Sequence, residues 1–194
     1  DWSSDVCSSD LAIGDLWAKL MSDNLGYPRF GAQGGDWGAI VTAKLGLSHS
    51  DKVIGIHSTF ISRPTPYMGS GSRELSEAEK AMFQQRTDWQ AAEGGYAHIQ
   101  GTKPQTLSYG LNDSPAGLAA WIVEKYRTWS DCGGDVETRF TKDELLTTIT
   151  IYWVTQSIGS ATKLYYESLR ETWRLAQGER IEVPCGIAVF PSGI

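Results

Sequence analysis

The sequence predicts an α/β fold in which a parallel sheet is interrupted by a helical insertion. Three observations predict it. Helical and strand-like segments alternate over residues 12–59, residues 60–175 are largely helical, and strand character returns at Ile181–Phe190. The 194 residues are 41% hydrophobic and carry 17 Lys+Arg against 23 Asp+Glu, a net charge of −6. That make-up belongs to a folded globular chain and excludes disorder, collagen-like repeats and a disulfide scaffold. The acidic balance argues against nucleic acid as a partner. No apolar run approaches the ~18 residues of a membrane helix.

Residues 1–11, DWSSDVCSSDL, have neither period and back-translate to a string that resembles a short-read sequencing adapter. They are set apart from the fold, and the chain is expected to be a fragment of a longer one. Without Cys7, two isolated cysteines remain, Cys132 and Cys185, with no CxxC spacing. Free thiols point to a reducing, cytoplasmic compartment.

The elements follow in order. Ile13, Leu16, Trp17, Leu20 and Met21 fall at helical spacing, and Gly26 ends the run. Pro28–Gln33 reads as a buried strand, Ala39–Leu45 as a helix and Val53–His57 as a second strand. Residues 62–72 are rich in Ser, Gly and Pro, a loop. Ser76 with Glu79 forms a capping box for a helix toward Trp89, and Thr141 with Glu144 forms another. Ser114-Pro115 supplies an N-cap and an N1 proline for a helix Ala116–Trp129.

Between the first strand and the second helix lies Gly34-Gly35-Asp36-Trp37-Gly38. The pattern small–x–nucleophile–x–small is that of a nucleophile elbow, a strained turn that holds its central side chain above the sheet edge. Small residues are needed there because backbones approach closely. Aspartate at the centre gives a carboxylate nucleophile, suited to saturated carbon, ionised near neutral pH. On these five residues alone, Asp36 reads equally as a simple helix N-cap.

Three longer blocks, GYPRFGAQGGDWGAIVTAKLG, YAHIQGTKPQTLSYGLNDSPAGLAAWIVEKYRTWSDC and TIYWVTQSIGSATKLYYESL, strongly resemble the microsomal-type epoxide hydrolases of the α/β-hydrolase superfamily. The resemblance covers nearly everything after residue 12. It implies an α/β-hydrolase core at 12–59, a helical cap at 60–175 and a return to the core at 176–194. It also implies Asp36 as nucleophile, the Trp37 N–H as an oxyanion-hole donor, and Tyr96 and Tyr165 as the two lid tyrosines. Tyr166 competes with Tyr165, since adjacent helix positions point about 100° apart. The implied activity converts a small apolar epoxide and water to a vicinal diol through an aspartyl ester. Phenols suit that chemistry, because a pKa near ~10 lets them protonate a departing alkoxide. No cofactor or metal is implied, and no HExxH or paired Cys/His spacing occurs.

Hydrolysis of the ester needs a histidine and a supporting acid after the nucleophile. His49, His57 and His98 all come too early in that order, so His57 and His98 read as structural. The acid is expected just after Phe190-Pro191, where Gly193 stands instead. The family's upstream His-Gly-x-Pro loop is also missing. The chain is therefore expected to lack turnover. Two other readings share the elbow: a haloalkane dehalogenase, where Trp37 would help hold the halide, and a non-catalytic homologue. A serine hydrolase is disfavoured by the lack of GxSxG.

Overall fold

The computed structural model describes residues 10–60, 73–170, 179–188 and 190. The expected loop 62–72 and the position of Gly193 lie outside them. The chain divides into two compact units, one of residues up to Gly95 with Arg170 onward, the other Tyr96–Leu169.

The first unit holds a three-stranded parallel sheet in the order β1 (Phe30–Gly34), β2 (Val53–Ser58), β3 (Cys185–Ile187). Helix α1 (Asp10–Lys19) takes in the last two residues of the segment set apart above. It widens into a π-helical turn, Leu20–Asn24, in which the Leu25 N–H donates to the Leu20 carbonyl at 2.9 Å. Gly26, at φ 73°, then turns the chain away, as the sequence predicts. Helix α2 (Trp37–Ser48) connects β1 to β2 and returns the chain for parallel pairing, with Gln33 opposite His57.

Ala18, Phe30, Val41, Leu45, Val53 and Ile56 form the core beneath the sheet, with Ile181 and Val183 packed against it. Burying each large aliphatic side chain is worth roughly 1.5–3 kcal/mol, so this cluster fixes α1 and α2 on the sheet. The last strand is shorter than Ile181–Phe190. Among the described residues the register pairs run over Cys185–Ile187. Pro184 has no N–H to donate, but its carbonyl accepts the Ile56 N–H at 2.9 Å, and the Ala188 N–H donates to the Ser58 carbonyl at 2.9 Å. Helix α3 (Glu77–Glu93) opens on the expected capping box: the Glu79 N–H donates to Ser76 Oγ, and the Ser76 N–H donates to Glu79 Oε2 at 2.8 Å.

The second unit is helical: α4 (Gly95–Thr102), α5 (Pro104–Asp113), α6 (Pro115–Trp129), α7 (Lys142–Thr155) and α8 (Ile158–Ser168). Pro104 and Pro115 stand at helix starts, where a missing N–H costs nothing. Ser114 caps α6 by accepting the Gly117 N–H at 3.0 Å, and Thr141 with Glu144 forms the second capping box. Leu111, Leu118, Ile149 and Ile158 are the buried centre, contributed by α5, α6, α7 and α8. No helix among the described residues is long and apolar enough to cross a membrane.

Candidate active site

Asp36 sits between the end of β1 and the start of α2 with φ 47° and ψ −127°. A simple N-cap has extended backbone and a side chain that accepts the N–H of the second or third helical residue. Asp36 has neither: its φ is positive and its side chain makes no capping bond. Among the described residues only Gln156 is another non-glycine with positive φ. Such backbone is costly and persists only where the surroundings enforce it. The turn is thus an elbow in geometry as well as in pattern.

Gly34 is one reason the elbow can form. A Cβ there would land on the carbonyl group of Gly38 and within 2.7 Å of Thr42 Oγ1, so α2's first turn lies directly over it. At Gly35 a Cβ would come within 2.5 Å of Thr59 Oγ1. The Thr59 N–H in turn donates to the Gly34 carbonyl at 3.1 Å, tying the end of β1 to the residue after β2. The requirement for a small residue does not extend to Gly38, whose Cβ would meet open space. It is Gly38's backbone that must be approached.

The Asp36 side chain is accessible, yet the protein around its carboxyl raises its pKa above the ordinary value; burial is the main cause. A bond from the backbone N–H of Trp37 acts in the opposite direction. The same N–H that the family resemblance implies as an oxyanion-hole donor therefore already addresses an oxygen of Asp36. That oxygen would carry the negative charge if water added to an ester of this carboxylate.

In the helical unit, Tyr96 on α4 and Tyr165 on α8 are half-buried, with ring centroids 5.8 Å apart and planes inclined at 78°. The Tyr165 ring thus meets that of Tyr96. Sequence reasoning missed three further residues at this place. Trp129 lies against the Tyr96 ring at 5.0 Å, and Lys125 Nζ stands 5.0 Å from its centroid. Trp121 completes the set, with Lys125 Nζ 5.9 Å from its ring. Trp121, Lys125 and Trp129 recur every four residues along one face of α6, a signal the sequence does carry.

Each histidine has its own surroundings. His49 Nε2 bonds Asp15 Oδ1 at 2.8 Å, joining α1 to the end of α2. His57 lines an open groove of about 660 Å³ across the three strands, with Gln33, Ile54 and Cys185. Neither Asp36 nor Trp37 lines that groove. His98 is exposed on α4. Among the described residues no cluster of three or more His, Cys, Asp or Glu side chains could hold a metal ion.

No family model matches the chain. It is 38% identical over 180 residues to a Stigmatella aurantiaca (strain DW4/3-1) protein assigned as an epoxide hydrolase, covering 92% of this chain and 39% of that one. It is 34% identical over 206 residues to epoxide hydrolase 1 of Sus scrofa, covering 96% and 45%. The structure of Aspergillus niger epoxide hydrolase superposes with a TM-score of 0.75 at 30% identity, over 95% of this chain and 45% of that one. The chain thus spans less than half the length of the relatives it matches. By sequence and fold together, nearly the whole chain is similar to part of these epoxide hydrolases, and its fold is that of the α/β-hydrolases.

Proposed function

We propose that the chain carries the alkylation machinery of an epoxide hydrolase. Asp36 is the nucleophile, and the observation that carries this is its strained, uncapped backbone at the head of α2. Its carboxylate attacks an oxirane carbon and forms an ester. Tyr96 and Tyr165 donate hydrogen bonds to the departing oxygen, and one of them delivers the proton. The Trp37 N–H steadies the oxyanion when the ester is later opened by water. Residues 60–175 act as the helical cap, and its aromatic groups suit a small apolar epoxide. The free Cys132 and Cys185 thiols fit a cytoplasmic setting.

The paired phenols favour an epoxide over a haloalkane, because a leaving halide needs no proton. The chain's three histidines all precede the position expected of the base, so the ester should accumulate without turnover. Mass spectrometry of the protein after exposure to an aryl epoxide tests the reading. We expect a single adduct of the whole epoxide mass on the peptide containing Asp36, absent from Asp36→Asn. An alkyl adduct from a haloalkane, with none from the epoxide, would instead establish the dehalogenase chemistry. Sustained release of diol would refute the claim that the chain stops at the ester.

A further inference from the structure

We propose that Lys125 is a positioning residue that makes Tyr96 the stronger proton donor by holding an ammonium over its ring. The catalytic meaning of this rests on the role proposed above for Tyr96; the electrostatic claim does not. Lys125 Nζ lies 5.0 Å from the Tyr96 centroid, 5.4 Å from that of Trp129 and 5.9 Å from that of Trp121. The side chain is only 16% exposed, so its charge is poorly screened by water. A cation over an aromatic face is attracted by the ring's negative quadrupole. That attraction grows when the ring itself becomes an anion.

The placement is built from both helices. Tyr96 and Gln100 are one turn apart on α4, and Trp121 Nε1 donates to the buried Gln100 Oε1 at 3.4 Å. That bond, with the 5.0 Å contact of Trp129 on Tyr96, brackets Lys125 between two fixed points of α6. Lys125 therefore sits over Tyr96 because the helices on which both stand are joined on either side of it.

Other charged and titratable groups stand on the same helices. On α6, Glu124 Oε1 accepts from Lys125 Nζ at 3.0 Å, but Glu124 is 55% exposed and its charge is spread into solvent. From α8 the ring of Tyr165 meets Tyr96, while Lys163 and Glu167 pair with one another at 3.6 Å. On α4, His98 is exposed. The ammonium directly over the Tyr96 ring is that of Lys125.

The charge balance explains what the lysine would do. As an oxygen of Asp36 bonds to the oxirane carbon, the carbon–oxygen bond breaks and the departing oxygen takes the Tyr96 proton. The ester is neutral, and the negative charge that began on Asp36 rests on the Tyr96 oxygen until water reprotonates it. Lys125 stabilises that phenolate and not the phenol, which is the differential interaction a rate gain requires.

The test is titration of the Tyr96 phenol by NMR in the 194-residue chain labelled with 13Cζ-tyrosine, with Tyr96→Phe to assign the signal. Lys125→Met should make Tyr96 about tenfold weaker as an acid, while Lys125→Arg leaves it near the parent. Glu124→Gln, which frees the ammonium from its partner, should move Tyr96 the opposite way and serves if Lys125→Met does not fold. Identical Tyr96 titrations in the parent and the folded charge-altering variants would overturn the proposal. Single-turnover ester formation read on the same variants separates the two claims. A titration that moves while the alkylation rate does not would remove Tyr96 from the chemistry and leave the role of Lys125 over its ring intact.

Discussion

Tyr165 meets Tyr96 edge-on, 5.8 Å between centroids, although the two stand on helices separated in sequence by α5, α6 and α7. An edge-to-face pair is worth about 0.5–1.5 kcal/mol beyond its buried area, and it orients both phenols together. Replacing either tyrosine by phenylalanine keeps the ring contact and removes only the hydroxyl. Each single variant should therefore melt close to the parent while ester formation slows about 10- to 100-fold. The double variant should lose about 10⁴-fold, the range general acid catalysis supplies. Rapid-quench measurement of the adduct on Asp36 reads this, and an unchanged rate in the double variant would take both phenols out of the mechanism.

The start of α3 responds to acid in a defined direction. Arg73 bonds both Glu79 oxygens, at 2.6 and 2.8 Å, and Ser76 adds its backbone N–H and hydroxyl. Arg73 first, then Ser76, push the Glu79 carboxyl down to about 2. A lowered folded value means the stabilisation is present above the ordinary glutamate range and is lost as pH falls through about 2. Amide exchange in the first turn of α3 should stay protected at pH 3, where an ordinary glutamate is already protonated. Arg73→Gln should move that loss to higher pH. At the other capping box, Thr141→Ala should cost about 1 kcal/mol in urea unfolding, because the Glu144 N–H loses its acceptor.

Both capping boxes, the Ser114-Pro115 start and the turn at Gly34–Gly38 were legible because their signals are local: a side chain bonds, or a glycine yields, within four residues. What was not legible depends on distant partners. The break between α4 and α5 comes at Lys103, with φ −137° and ψ 49°, just before Pro104. That residue pair reads as a helix start without revealing that a separate helix precedes it. The strand at Ile181–Phe190 has the composition of a strand throughout, yet among the described residues the register pairs begin only at Cys185, after Ile181 and Val183 have packed on the core. Lys125 shows its spacing from Trp121 and Trp129 in the sequence. That Tyr96 lies beneath it follows only from the packing of α4 on α6.

The two glycines flanking the elbow should behave in opposite ways. Gly34→Ala drives a Cβ into the Gly38 carbonyl and toward Thr42 Oγ1, and backbone cannot step aside without opening the turn. Overpacking of this kind costs typically 1–3 kcal/mol, and the adduct at Asp36 should be lost with it. Gly38→Ala places its methyl in open space within the first turn of α2. Replacing a helical glycine there should leave stability unchanged or raise it by up to about 1 kcal/mol. Thermal unfolding of the pair, with adduct yield alongside, checks both; equal effects would show that Gly34 is not what admits the bend.

The raised pKa of Asp36 ties its proposed role as nucleophile and the stability of the fold to the same proton. Burial favours the neutral carboxyl, so the folded value lies above the ordinary one. The associated stabilisation is then complete below the unfolded pKa, near ~3.9, and declines as pH rises through the folded value. Nucleophilic attack needs the ionised form, so ester formation should rise over the same window in which stability falls. Asp36→Asn cannot ionise and tolerates the same positive φ; it should be more stable than the parent at pH 7, with the difference closing toward pH 3. Asp36→Gly should gain in addition the roughly 1–3 kcal/mol stored in that backbone. Urea unfolding from pH 3 to 8 follows both variants. A gap between parent and Asp36→Asn that ignores pH would mean that desolvation of the carboxylate is not what the site imposes.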